Sequence, residues 1–180
     1  MAELWDIYDA ERMKTGRTMT RGGEFKEGDL HLVVHVCLFN REGKMLVQQR
    51  QPFKESWSGL WDLTAGGSAM AGDSSQAAAA RELEEELGIR LDLEGVRPQL
   101  TINFERGFND IYLIEKEIDL DQLTLQYEEV RDAKWATADE IKGMIEDGTF
   151  IPYYPSLIRL LFDIRKQYGC RRTDRRREKW

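Results

Sequence analysis

Between Gly67 and Ile89 the chain runs through a glycine turn, an alanine-rich stretch and then a dense group of carboxylates, and no other segment constrains the fold as tightly. Glu82, Glu85 and Glu86 stand at i, i+3 and i+4, so on a helix their side chains fall within about 100° of arc and converge on one side. Carboxylates that close repel one another unless a cation joins them. A hard divalent ion such as Mg²⁺ prefers oxygen ligands and binds through a few carboxylates plus substrate phosphates, which makes this face a candidate metal and phosphate site. A run of Glu on a helix is more often a solvated face, so the neighbouring residues have to decide.

Those neighbours agree on a helix packed closely against something. Asp73 or Ser74 can cap its start, with Gln76 three residues beyond Asp73. Ala77 to Ala80 are strong helix formers without bulk, which allows close approach to a sheet. Leu83 and Leu87 share a face roughly opposite the glutamates and are expected in the core. Arg81 precedes Glu85 by four residues and can hold that carboxylate by a charge-assisted hydrogen bond, a structural role. Gly88 stands where the helix should end, because glycine takes the left-handed turn that closes a helix. The Gly66-Gly67 pair before the helix is either a tight turn or a place where a phosphate or metal approaches the backbone.

In order and spacing this segment resembles the Nudix box, G-x5-E-x7-R-E-U-x-E-E-x-G-U with U aliphatic. Gly67, Arg81, Glu82, Leu83, Glu85, Glu86, Gly88 and Ile89 match, and Asp73 stands where the pattern has Glu. A match at many fixed positions is far more specific than a short motif. The resemblance implies an α/β fold, the Nudix-type α/β/α sandwich with a mixed β-sheet between helices, and a metal-dependent hydrolase of diphosphate linkages. It implies that Glu82, Glu85 and Glu86 are ligands of Mg²⁺, or of Mn²⁺ in its place, with the backbone carbonyl of Gly67 as a further oxygen ligand and Glu85 or Glu86 as the main bridge. Asp73, Arg81 and Gly88 are then the structural members of the box. A homodimer is expected by analogy with the family.

The outer parts of the chain resemble, more narrowly, the branch that shares sequence with isopentenyl-diphosphate isomerase. The marks are Trp5 to Asp9, Leu30-His31-Leu32, Leu38-Phe39-Asn40, Gln49-Arg50, Lys54 and Trp61. The isomerase pattern has Cys-Gly-His just before the box, where this chain has Gly66 and Ser68 in place of the cysteine and the histidine. His31 matches one further histidine ligand of the isomerase, but Glu24 stands near the earlier one. Glu85 and Glu86 restore the paired glutamates of the hydrolases. An isomerase-like enzyme and a catalytically silent diphosphate-binding module are therefore the alternatives to a hydrolase, and His31 and His35 are expected to be sheet or pocket residues.

The expected reaction is substitution by water at a phosphorus of a diphosphate, with a carboxylate accepting the proton. Glu85, Glu86, Glu128 and Glu129 are the candidate bases. Glu129 is taken with Glu85 and Glu86 as the catalytic set. Arg50 and Lys54 are the candidates for phosphate contacts, since Arg offers a bidentate fork. Trp57, Phe104, Phe108 and Tyr112 lie on segments that could stack a base. A nucleoside diphosphate derivative is the default substrate, with sugar, cofactor or isoprenoid diphosphates as alternatives.

Length and charge bound these expectations. With 180 residues, 41% of them hydrophobic, the chain holds one core. It divides into an N-terminal extension packing on the core (1–28), a hydrolase domain (29–170) and a basic C-terminal tail (171–180). A net charge of −7 argues against nonspecific nucleic-acid binding, which needs Lys and Arg to neutralise phosphates. Cys37 and Cys170 have no metal-ligand spacing, and a reduced, cytoplasmic setting is the expectation, with Cys37 in the core and Cys170 exposed. No apolar run approaches membrane-spanning length. Strands are expected at Leu4 to Asp9, at Leu30 to Asn40 with Lys44 to Arg50 returning as its hairpin partner after a Glu42-Gly43 turn, at Trp61 to Ala65, and at Val96 to Glu105 and Asp110 to Glu117 as an antiparallel pair. Met13 to Gly28 reads as polar and turn-rich, and helices are expected from Thr137 to Asp147 and from Pro155 to Tyr168.

Overall fold

A computed structural model describes residues 3–171, so most of the basic tail lies outside the described residues. A long central strand organises the molecule: β3 (His31–Phe39), whose near-continuous apolar sequence suits a strand covered on both faces. Nine strands and three α-helices are built from β1 (Leu4–Tyr8), β2 (Lys14–Thr20), β3, β4 (Met45–Arg50), β5 (Trp61–Asp62), β6 (Ala65–Ser68), α1 (Ser75–Leu87), β7 (Leu100–Phe104), β8 (Gly107–Glu115), β9 (Val130–Ala136), α2 (Ala138–Glu146) and α3 (Pro155–Ile164) among the described residues.

The main sheet is mixed. β8 runs parallel to β3 along its whole length, and β6 pairs antiparallel with its first half. The pleat of β3 then sorts its side chains. Val34, Val36 and Leu38 join Leu83 and Leu87 of α1 in one core, while Cys37 and Phe39 join Ile141 of α2 and Ile158, Leu161 and Phe162 of α3 in a second. This is the α/β/α sandwich. Among the described residues no helix is long and apolar enough to cross a membrane.

Three local expectations change. Lys44 to Arg50 was expected to return as a hairpin partner of the preceding strand, yet β4 meets β3 only at Phe39 and Met45 and forms its ladders with β9 and β5. Trp61 to Ala65 is split into β5 and β6, which pair with different strands. The polar stretch after Met13 contains β2, an exposed strand that pairs with β1 in a separate two-stranded sheet. Its polarity reflects exposure, not irregular backbone.

That N-terminal hairpin is docked on the loop before α1. Ile7 and Tyr8 are buried, Ala71 N–H donates to Leu4 O at 2.7 Å, and Gly72 N–H donates to the Asp6 carboxylate at 2.8 Å. Arg12, at φ 62°, reaches the buried Asp110 on β8 with an N to O distance of 2.9 Å.

Candidate active site

Helix α1 starts at Ser74, whose hydroxyl accepts from Ala77 N–H, and ends at Gly88 in the left-handed region at φ 70°. Ser74, not Asp73, is the cap. Asp73 accepts from Met70 N–H and from Arg81 instead. Ala78 and Ala79 are fully buried, so α1 lies close on the sheet and its glutamates emerge beside β6.

Arg81 is the organiser of this face. One terminal nitrogen donates to Glu82 and Glu85, each at 2.9 Å, and the other donates to Ser68 O and to Asp73. Burial works to lower the Arg81 pKa, but the charges of Glu82, Glu85 and Asp73 outweigh it and the net direction is upward. The expected Arg81 to Glu85 bond is present, and the shorter Asp73 is still long enough to reach the guanidinium.

Glu86 lies deepest, at 4% exposure. Its Oε2 accepts from Gln48 Nε2 at 2.9 Å and from Gly66 N–H at 3.2 Å, both neutral donors. Burial, reinforced by the nearby charge of Glu82, raises the Glu86 pKa well above the usual carboxylate range. Burial also raises that of Glu82. Gln48 Oε1 is buried with no hydrogen-bond partner. Gly67 lies against Glu82 so tightly that a Cβ there would stand 2.5 Å from the carboxylate, and a Cβ on Gly66 would stand 2.5 Å from His35. The glycine pair is thus a close approach of backbone to side chains.

These groups line a cavity of about 1350 Å³. Its first wall is Gly66, Gly67, Arg81, Glu82, Glu85 and Glu86. The rest of the lining includes Arg50 at the end of β4, Phe53, Lys54 and Trp57 from the β4–β5 loop, Glu128 and Glu129 before β9, and Glu3 and Arg21 at the ends of the hairpin. Lys54 pairs with Glu129 at 2.7 Å. Arg50 donates through Nε to Ser56 O. On the floor, Tyr153 donates to Asp62 at 2.9 Å and lies 3.4 Å from His35 Nε2, while His35 Nδ1 is 2.9 Å from Asn109.

Every residue assigned from the sequence to catalysis, metal or phosphate therefore borders one space. Of the four aromatic candidates only Trp57 does. Phe108 and Tyr112 are core residues, and Phe104 packs edge-on against His31 on another part of the sheet. Gln48, Asp62 and Tyr153 escape sequence reasoning. For Gln48 there was one signal, a polar residue inside an apolar strand. For the other two there was none.

Among the described residues no three His, Cys, Asp or Glu side chains are already set around one point as a metal site, because Arg81 occupies the space between Glu82 and Glu85. The donor chemistry nevertheless fits a hard divalent cation: several oxygen donors, a buried carboxylate compensated only by neutral groups, and an orphaned buried acceptor beside it.

Fold and cavity together define an α/β/α-sandwich enzyme with its carboxylate site between α1 and the end of β6. Residues 29–154 match the NUDIX domain family model. The chain belongs to the Nudix hydrolase family. It is 49% identical over 152 residues to an uncharacterized Nudix hydrolase of Listeria monocytogenes, covering 84% of this chain and 90% of that one. It is 31% identical over 164 residues to an isopentenyl-diphosphate Delta-isomerase of Streptomyces avermitilis, covering 87% and 82%. A crystal structure of a Deinococcus radiodurans protein superposes with a TM-score of 0.69 at 19% identity over 88% of this chain and 97% of that chain, a likeness of fold.

Proposed function

We propose that the protein is a metal-dependent pyrophosphohydrolase that cleaves a diphosphate linkage in a nucleoside diphosphate derivative or a related small-molecule diphosphate. The observation that carries this is the buried, cation-free Glu86 next to Glu82 and Glu85, across one cavity from Arg50 and Lys54. Burying a carboxylate without a cationic partner costs on the order of several kcal/mol, a cost that a bound cation offsets.

Glu82, Glu85, Glu86 and the Gly67 carbonyl would hold Mg²⁺ or Mn²⁺. Such an ion, when bound, neutralises phosphate charge and lowers the pKa of a coordinated water. Arg50 presents its terminal nitrogens to a phosphate, since only Nε is engaged among the described contacts. Glu129 is the proton acceptor this reading favours outside the helix: the ion pair with Lys54 orients its carboxylate at the cavity wall. Arg81 fixes the rotamers of Glu82 and Glu85, and Trp57 and Phe53 offer apolar faces to the leaving group.

The isomerase alternative lacks its thiol. Gly66 stands at the cysteine position and has no room for a side chain. Cys37 is buried in the second core, where burial holds its thiol protonated, and Cys170 is exposed near the chain end. His31 is stacked on Trp5 and does not border the cavity.

The test is chromatographic detection of the phosphomonoester products, and of inorganic phosphate where the diphosphate is terminal, from a panel of nucleoside, sugar, cofactor and isoprenoid diphosphates with Mg²⁺ or Mn²⁺. Metal-dependent turnover by the wild type that Glu85→Gln and Glu86→Gln lose is the expected result. Metal binding without turnover of any panel member would favour a silent binding module.

A further inference from the structure

Three cavity residues, Glu3, Leu4 and Arg21, come from outside the segment that the family model matches, and two of them are charged. Glu3 precedes β1 and Arg21 follows β2, and the register that pairs Leu4 with Thr20 sets them side by side. Arg21 N–H donates to Glu3 O at 2.8 Å, and its guanidinium donates to Glu3 Oε2 at 2.9 Å. Glu3 Oε1 accepts from Trp5 Nε1 at 2.8 Å, which fixes the carboxylate. Both side chains border the cavity.

Stability does not explain the pair. The Arg21 side chain is 62% exposed, and exposed ion pairs contribute little. The hairpin is held by other means: buried Ile7 and Tyr8, the Leu4 to Ala71 and Asp6 to Gly72 bonds, and Arg12 on Asp110. A docked element thus presents a cation to a cavity in which, Arg50 apart, the other cations are committed elsewhere. Arg81 is spread over three carboxylates and Lys54 is tied to Glu129. The Arg21 pKa is raised, first by the hydrogen bond to Glu3 and also by the charges of Glu129 and Glu82, which sets its guanidinium within the field of the two opposing walls.

We propose that Arg21 is a phosphate-binding residue of this cavity, and that Glu3 holds its guanidinium until a substrate phosphate takes the carboxylate's place. This rests on the diphosphate reading above. A phosphate oxygen accepts the same charge-assisted bond as the carboxylate it displaces, with more charge and more acceptors. The hairpin is then part of substrate recognition, and Glu3 lowers affinity by competing for Arg21 and repelling the incoming anion.

The pair predicts effects of opposite sign. Binding of inorganic diphosphate with Mg²⁺ present is measured by calorimetry on the full chain for wild type, Arg21→Ala, Glu3→Gln and Arg50→Ala, with thermal melting of each. Loss of one charge-assisted bond should weaken binding by Arg21→Ala about tenfold, and Glu3→Gln, which keeps an oxygen for Trp5, should tighten it about threefold. Dissociation constants for both hairpin variants within twofold of wild type, while Arg50→Ala binds more weakly, would overturn the role of Arg21 and leave the diphosphate site standing. Weaker binding by both variants with equal losses in melting temperature would overturn it too, as a purely structural pair. No binding by the wild type would overturn both proposals together.

Discussion

The two walls of the cavity are built in opposite ways. On the α1 side Glu82 and Glu86 are largely buried and Arg81 bonds four partners, Glu82, Glu85, Asp73 and Ser68. On the other side Phe53 and Trp57 are more than half exposed and the charges stand in isolated pairs. Trp57 also holds a left-handed backbone at φ 52°, which is costly for a bulky residue. Groups that do chemistry need fixed rotamers and gain from a low dielectric, whereas groups that recognise a variable leaving group work from exposed loops. Under the proposed function the helix wall would run the reaction, and the loop wall would select the molecule that enters.

Substitutions on the helix wall should break this contrast most sharply. Glu86→Gln is expected to lower kcat by about a thousandfold or more, the scale of losing the ion's transition-state stabilisation. Without added divalent ions the same variant should melt above wild type, because it removes a buried carboxylate that the fold leaves without a cation. A lower melting temperature would mean that Glu86 is stabilised by something other than Gln48 and Gly66. Gly67→Ala comes next. Its new Cβ forces the Glu82 carboxylate aside, so kcat should fall about 10- to 100-fold, a loss typical of misplacing a ligand-positioning group, with little change in circular dichroism. Normal activity would show that Glu82 has no fixed role. On the loop wall, Trp57→Ala should raise KM about three- to tenfold and spare kcat, matching the worth of one aromatic contact; an equal fall in kcat would erase the division of labour.

The same contrast explains what could be read from the sequence. On the α1 wall local periodicity does the work: spacing of three and four along one helix put Glu82, Glu85 and Glu86 on one face, and glycine at 88 closed it, all before any tertiary contact was known. Lys54, Glu129 and Arg21 meet only because β4, β9 and the hairpin converge, and nothing local in their neighbourhoods encodes that meeting. Phe108 and Tyr112 show the converse error. Their aromatic character suits a binding wall or a core equally, and the parallel register of β8 on β3 decided for the core. In the same way β4 looks like a hairpin partner in sequence because a tight turn precedes it, while long-range pairing with β9 overrides that local cue.

The smallest expected effect concerns the seam where the hairpin meets the sheet. His31, on β3, stacks on Trp5 of β1 with ring centroids 4.7 Å apart, and its Nδ1 lies 2.9 Å from the Arg106 carbonyl, which requires a proton on Nδ1. Phe25 and Phe104 complete the surround, with Arg106 over the Phe25 ring. Burial lowers the His31 pKa below its ordinary 6.5, with the Arg106 carbonyl partly opposing. A folded-state pKa below the unfolded one means that the unfolded chain takes up the proton first as pH falls. The stabilisation by neutral His31 is thus complete above about pH 6.5 and declines as pH drops from there through the lower folded-state value. Urea unfolding at pH 7.5 and 5.5 should show wild type losing more stability on acidification than His31→Gln, whose amide can still donate to the Arg106 carbonyl. Equal losses would show that His31 titrates alike in both states. In that case the hairpin would be tied down as insensitively to pH as the core, and its difference from the helix wall would lie in exposure alone.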